Sequence, residues 1–570
     1  IRIASDISMD VVTTIEEHRH ELPGVTIDVE PLRYYPYETM ASQLFGYVGE
    51  VSEEELEELK QQDPNTLISG GTILGRSGLE KLYDSILRGT DGGKQVEVDA
   101  TGRPVAEVDR KHTVPGSNIH LTIDANLQKA AEEAVKNQLE QLRAQGIPAQ
   151  GAAVVAMDPN TGAILAMVSA PEFNPNWFAK GITTAQWNQL NNDKNHPFDN
   201  KVISGEYPPG SPFKIITGTA ALDLKKVTPE EMIFDSGKHW LIDKRNAEGE
   251  ALGWLNFNKA LAKSDNVYFY EMGNRVGIEG LVKYAGYFGI GEKTGINLVG
   301  EASGNMASPA YKRKVYDEDW YLGETFDAAI GQSFTLVTPL QMAVMLSEVA
   351  NGGIKYRPYV VSRIDNKDGT PKEIFGPDKL GILPVPKNIM DLVREGLRDV
   401  TNEGGTAGEL FKGFPIDVAG KTGTSENEID NWFVAYTPTV TLGSWIGYDN
   451  FYNARYAITG GDGYGEPTMR SQRQWTNLMR AAYEANPELI GKETSFTQPD
   501  SVYRDSVVST TGTKAGSFKA ENGGTYSIGG SMTTDWFKKD FPPMNPKYDF
   551  MIGATPEELS RFWNKSSSSS

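Results

Sequence analysis

Cysteine is absent from all 570 residues. That excludes disulfides, thiol catalysis and cysteine-ligated zinc, and it suits a cytosolic chain or an exported one built without disulfides. No apolar run reaches membrane-spanning length, and no signal peptide is visible. The chain opens at Ile1 inside what reads as a continuing segment, so the lack of such a run here does not exclude a membrane anchor ahead of it. An excess of positive charge is lacking as well: 55 Lys and Arg face 76 Asp and Glu, a formal net charge of −21. Binding a phosphate backbone needs basic patches, so nucleic acid is not the expected partner. An anionic membrane surface would repel such a chain. There is no internal repeat.

The remaining composition is that of a soluble globular protein, with 39% hydrophobic and 23% charged residues. The length calls for two or more domains. Residues 1–117 read as mixed short α and β elements, including a helix in Val51–Gln62 capped by Ser52. A Pro-Gly turn then leads to an alternating strand, His120–Ile123. Asp124 caps a long helix with Leu127, Ala131, Ala134 and Leu139 near one face. Gly151–Pro171 has the pattern of a hairpin across Asp158–Gly162. Helical segments follow to about Asn351, and strands return around Val418–Asp449. Strands at both ends of a helical stretch, joined in one antiparallel sheet flanked by helices, make an α+β domain over residues 118–485. Residues 486–570 read as a small appendage ending in the low-complexity tail Lys565–Ser570.

The chemistry-bearing stretch is "GEYPPGSPFKIITGTAALDL", Gly205–Leu224. Pro212 suits a first helical turn, where its missing N–H costs nothing. Ser211 then lies at or beside the N-cap, where backbone N–H groups favour developing negative charge. Lys214 falls on the same face one turn later. With Phe213, Ile216, Ala220 and Leu224 apolar, Lys214 is expected to point into a packed interior. A lysine with a depressed pKa there can take the serine proton. No other serine in the chain has a lysine three residues on. Read alone, the pair is more simply a capping serine with a snorkelling lysine.

Two more groups complete a serine–lysine site: a polar relay, and a cationic strand edge for an acyl substrate. Ser264-Asp265-Asn266 opens an apolar helical stretch, and Lys421-Thr422-Gly423-Thr424 lies on a candidate strand with Asn431–Tyr436 as its hairpin partner. Competing copies exist. Ser303-Gly-Asn305 lies in a glycine-rich loop, Ser425-Glu-Asn427 adjoins the strand motif itself, and Lys293-Thr-Gly295 has a loop-like setting. Chain order and local context select 264–266 and 421–424.

S-x-x-K, S-D-N and K-T-G in this order are the signature of penicillin-binding proteins and serine β-lactamases. Nearly the whole chain resembles a class B penicillin-binding protein, a peptidoglycan D,D-transpeptidase. Arg33–Ser52 and the stretch "GRSGLEKLYDSILRGTDG" from Gly75 resemble its non-catalytic pedestal, the dimerisation-type domain. "LTIDANLQKAAEEAV" resembles the entry to its transpeptidase domain, and Ala156–Asn176 its first hairpin. Ala328–Ala343 resembles its G-Q-G-x-x-x-T-P-L-Q segment, with Ser333 in place of the second glycine. No glycosyltransferase-like module is present. Yet "NWFVAYTP", "GSWIGYDN" and "TTDWFKKDFPP" look more like the bifunctional class, so elongation, division or another subclass stays open.

The resemblance implies that Ser211 attacks a D-Ala-D-Ala stem peptide and Lys214 takes its proton. Ser264, with Lys421, would return a proton to the leaving group, and Asn266 would bind the substrate amide. Lys421 with Thr422, Gly423 and Thr424 would hold the terminal carboxylate, and the N–H groups of Ser211 and Thr424 would form an oxyanion hole. It implies inhibition by β-lactams, a glycosyltransferase partner and a place on the outer face of the bacterial cell membrane. No cofactor is implied. A metal site has been suggested in elongation-type relatives after the nucleophile helix. Here Asp235, His239 and Asp243 are the candidates, no cysteine completes the set, and no metal is expected. A D,D-carboxypeptidase or serine β-lactamase shares the motifs, and a non-enzymatic β-lactam sensor is a third reading.

Overall fold

The computed structural model describes residues 3–545 apart from 5, 28, 30, 65–67, 99–103, 148, 247–248, 426–428, 449–469, 498–499, 510–511, 520–524, 540–541 and 544. The tail Lys565–Ser570 therefore lies outside the described residues. Local start signals decide the first helices. The Ser52 hydroxyl accepts from the Glu55 N–H, and the Glu55 carboxylate accepts from the Ser52 N–H, closing a capping box on α1 (Glu53–Gln62). Asp124 caps α2 (Ala125–Ala144), whose Leu127, Ala131, Ala134 and Leu139 are all buried, as the 3.6-residue period requires. The strand ahead of α2 runs Asn118–Leu121, earlier than the alternation suggested. It pairs with Val361–Asp365 in a separate three-stranded sheet.

The central sheet has five antiparallel strands. β1 (Gly151–Met157) and β2 (Ile164–Ala170) form the expected hairpin, and β3 (Ala419–Thr424), β4 (Asp430–Tyr436) and β5 (Thr441–Gly447) return far later in the chain. The order is β3-β4-β5-β1-β2, so β5 closes onto β1 from Thr441–Met157 to Gly447–Gly151. Period-2 alternation sends Ala153, Val155 and Met157 to one face and Ala152, Val154 and Ala156 to the other, and both faces are covered. The first face meets the helices between the two strand groups: α3 (Lys214–Asp223), α4 (Phe257–Lys263), α5 (Asn266–Tyr287), α6 (Leu322–Ala329) and α7 (Pro339–Ala350). The second meets α2 and α8 (Arg470–Ala485). This is an α+β fold with a central antiparallel sheet. On α3, Phe213, Ile216 and Ala220 are buried as expected, whereas Leu224 is exposed because the helix ends at Asp223.

Segments toward both ends of the described residues pack onto this body. Ala41, Leu44, Leu79 and Tyr83 share a core cluster with Phe213 and Trp432, and Gln43 Nε2 donates to the carbonyls of Pro171 and Pro197, each at 2.8 Å. Near the other end, β6 (Val502–Val508) and β7 (Met532–Lys538) pair antiparallel. The buried Asp535 accepts from Asn256 Nδ2 at 3.2 Å and Asn258 Nδ2 at 3.0 Å, on and beside α4. Among the described residues no helix is long and apolar enough to cross a membrane.

Candidate active site

The Pro208-Pro209-Gly210 turn delivers Ser211 to the edge of the sheet. Trp432 Nε1, on β4, donates to the Pro208 carbonyl at 2.9 Å. Gly210 has φ +58°, a backbone conformation that side chains disfavour, and a Cβ there would meet the Thr424 carbonyl oxygen at 2.6 Å. A Cβ on Gly423 would lie 2.4 Å from Pro212 Cδ. These two glycines let the turn and β3 touch, which brings Ser211 beside Thr424. Ser211–Phe213 form one 3₁₀ turn that runs into α3.

Lys214 has no solvent exposure. Its Nζ donates to the Ser264 carbonyl at 2.6 Å, to Asn266 Oδ1 at 2.6 Å and to the Ser264 hydroxyl at 3.3 Å. Lys421, equally buried, donates from Nζ to the Ser264 hydroxyl at 2.7 Å and to the Thr422 carbonyl at 3.1 Å. The Ser264 oxygen thus faces two amines, and a hydroxyl between two amines can pass a proton in either direction. Burial disfavours the ammonium form, so Lys214 is lowered to about 7 although the Asp265 carboxylate opposes the shift. Burial and the charge of Lys214 push Lys421 well below the usual lysine value. Asp265 moves up, from burial first and the neighbouring Asp235 second.

The backbone around the relay is built for this placement. Ser264 ends α4 in the left-handed region, φ 57° and ψ 38°, and Asp265 caps α5 by accepting from the Tyr268 N–H. Such a conformation costs about 1 kcal/mol or more in a residue with a side chain, and it clusters at functional sites. Thr422 Oγ1 lies 3.1 Å from Thr406 Oγ1, and the Thr406 N–H donates to the Ala262 carbonyl, tying β3 to the end of α4. Gln332 Nε2 approaches the Thr424 carbonyl at 3.5 Å. Next to it Ser333 holds φ +71°, the left-handed conformation that explains why glycine is usual at this point of the motif.

The structure therefore gathers Ser211, Lys214, Ser264, Asn266, Lys421, Thr422, Gly423 and Thr424 at one place. The competing copies stay apart. Lys293 is exposed on a loop whose Thr294 N–H donates to Glu301 Oε1 at 2.6 Å, and Ser303 is exposed. The Ser425 hydroxyl donates to Asp430 Oδ2 at 2.7 Å, while Glu426 and Asn427 lie outside the described residues. Asp235, His239 and Asp243 do not fit a metal. Asp235 accepts from the N–H groups of Gly237 and Leu252. His239 Nδ1 accepts from the Leu241 N–H and Nε2 meets Glu271 at 2.9 Å. Asp243 is exposed against Lys238 and Arg245. Among the described residues no three potential ligands come together. Asn246 and Thr406 carry no motif and were not legible as site residues; Gln332 lies in the segment Ala328–Ala343 singled out in the sequence, but its approach to Thr424 was not legible.

Residues 152–470 match the family described as the penicillin binding protein transpeptidase domain, and residues 1–121 match the penicillin-binding protein dimerisation domain. The chain belongs to the penicillin-binding protein transpeptidase family, in the class B arrangement with the dimerisation region ahead of the transpeptidase domain. It is 30% identical over 432 residues to the peptidoglycan D,D-transpeptidase MrdA of Escherichia coli strain K12, a match covering 75% of this chain and 66% of that one. The chain thus spans a little under two thirds of that relative's length. The crystal structure of Pseudomonas aeruginosa PBP2 in complex with WCK 5153 superposes with a TM-score of 0.65 at 31% identity, covering 79% of this chain and 90% of that chain. A chain from a peptidoglycan synthase complex that coordinates polymerization and crosslinking gives a TM-score of 0.69 at 30% identity, covering 84% and 80%.

Proposed function

We propose that this protein is a peptidoglycan D,D-transpeptidase that works through a serine acyl-enzyme. The observation that carries the reading is the convergence of two buried lysines on the Ser264 hydroxyl, one of them, Lys214, lying one turn after Ser211. Lys214 Nζ takes the Ser211 proton, and Oγ attacks the carbonyl carbon between the two D-alanines of a stem peptide. The N–H groups of Ser211 and Thr424 stabilise the oxyanion. The C–N bond breaks, and the proton passes from Lys214 through Ser264 to the leaving D-Ala amine. Asn266 binds the substrate amide, and Lys421, Thr422 and Thr424 hold the terminal carboxylate, with Gly423 keeping the strand edge close. A second stem peptide's amine then attacks the ester, loses a proton to the site and frees Ser211. A β-lactam presents the same carboxylate and a strained amide, so it acylates Ser211 and stays.

A hydrolase would share the acylation half. The dimerisation-type region at residues 1–121 favours the transpeptidase. The proposed organisation is a pedestal at 1–117, a transpeptidase domain at 118–485 and an appendage at 486–570. The relatives' names support work on peptidoglycan, and the proposed place of the protein is the outer face of the bacterial membrane, beside a glycosyltransferase that supplies the strands. The test is labelling by a fluorescent penicillin. Ser211→Ala should abolish it while leaving the thermal transition nearly unchanged, since one hydroxyl at a helix start is lost. Labelling that persists in Ser211→Ala places the nucleophile elsewhere.

A further inference from the structure

Between the short strands Ile233–Asp235 and Gly253–Leu255 the chain makes an excursion whose Asn246 side chain returns to the site. His239, against Glu271 of α5, and an ion pair from Lys244 to Asp327 of α6 hold the excursion in place. Asn246 Oδ1 accepts from the Asn266 N–H at 3.0 Å and the Val267 N–H at 3.2 Å. Its Nδ2 donates to Asp235 Oδ2 at 2.8 Å, the Glu250 carbonyl at 2.9 Å and Asp265 Oδ2 at 3.1 Å. Two amide hydrogens serve three acceptors, so one is shared. The orientation is unique, because reversing the amide would set its NH₂ against two N–H donors.

We propose that Asn246 is a positioning residue for acylation: it fixes the first turn of α5 and the Asp235–Asp265 pair, and so holds Asn266 Oδ1 and the Ser264 carbonyl within reach of Lys214 Nζ. The inference rests on the transpeptidase reading above. The first N–H groups of a helix have no partner within it, and here a side chain twenty residues upstream supplies one for two of them. Asp235 and Asp265 are both buried. The shared amide satisfies both carboxylates, and its loss leaves them and two N–H groups short of partners. The charged groups around this point are Lys214 of α3, Lys421 of β3, Asp235 and Asp265. Outside them lie Lys238, Asp243, Arg245, Glu250 and the Lys244–Asp327 pair.

The experiment measures acylation by a penicillin from pH 5.5 to 9 in the wild type, Asn246→Ala and Asn246→Asp, with thermal transitions alongside. Misplacing a reacting group by about 1 Å can cost about 100-fold, and Asn246→Ala is expected to slow acylation by about that factor. Asn246→Asp keeps the acceptor for the two N–H groups but sets a third carboxylate beside two. That raises the pKa of Lys214, so its rate rises with pH later than in the wild type, and its deficit is largest at the acid end of the range and shrinks as rising pH deprotonates Lys214. If Asn246→Ala fails to fold, Asn246→Asp decides alone. Variants within twofold of the wild type, with an unmoved midpoint, overturn the inference. A wild type that is not acylated, or a Ser211→Ala that is, overturns the underlying reading instead.

Discussion

At the scale of the residue, the chemistry turns on the protonation of Lys214. A free lysine titrates near 10.4, and burial without a fully compensating anion brings this one to about 7. The neutral amine is the base, so the wild-type acylation rate should rise with pH through about 7 and level off above it. Arginine at 214 would keep the charge but could not surrender a proton, so Lys214→Arg should lose acylation almost as completely as Lys214→Ala. Stopped-flow acylation across pH checks both; an active Lys214→Arg or a flat profile would assign the proton to another group. Ser211 and Lys214 were legible in the sequence because their relation is local: one turn, one face, one apolar surround. Asn246 was not, because its partners at Asp235, Glu250, Asp265 and Asn266 are joined only by the fold. Ser333 was visible as a departure from glycine, but its φ of +71° belongs to the structure.

At the scale of the element, three copies of short motifs compete and context separates them. Lys421 sits on β3, register-paired with β4 from Ala419–Tyr436 to Thr424–Asn431, so its side chain has a fixed direction toward Ser264. Lys293 sits on a loop whose neighbour Thr294 is tied to Glu301. Lys421→Ala should slow acylation by carboxylate-bearing substrates about 10- to 100-fold, the scale of one charge-assisted hydrogen bond. Lys293→Ala should stay within twofold. Equal losses in the two variants' acylation kinetics would contradict the choice of copy. The strand was legible because its hairpin partner follows at once in sequence. The sheet order was not, because β5 meets β1 across a separation that no local pattern encodes. The same limit moved the strand before α2, whose place depends on pairing with Val361–Asp365.

At the scale of the molecule, one core joins the parts. Residues of the first hundred, Ala41 to Tyr83, and Val502 and Trp536 near the other end belong to the same buried cluster as Phe213 and Trp445. Asp535 fastens the late strand pair to Asn256, the cap of α4, and to Asn258 on that helix, which ends at Ser264. The sequence suggested a three-part succession through shifts in composition, and it did not show this docking, since a glycine- and serine-rich stretch gives no sign of what its few apolar residues cover. The account stands or falls on a covalent bond at Ser211. Intact-protein mass spectrometry after addition of a penicillin, followed over hours and mapped to a peptide, tests it most directly. The account predicts a gain of one drug mass, on the peptide containing Ser211, that persists for hours. An adduct on any other residue, no adduct at all, or rapid loss of the adduct with turnover of the drug would contradict it.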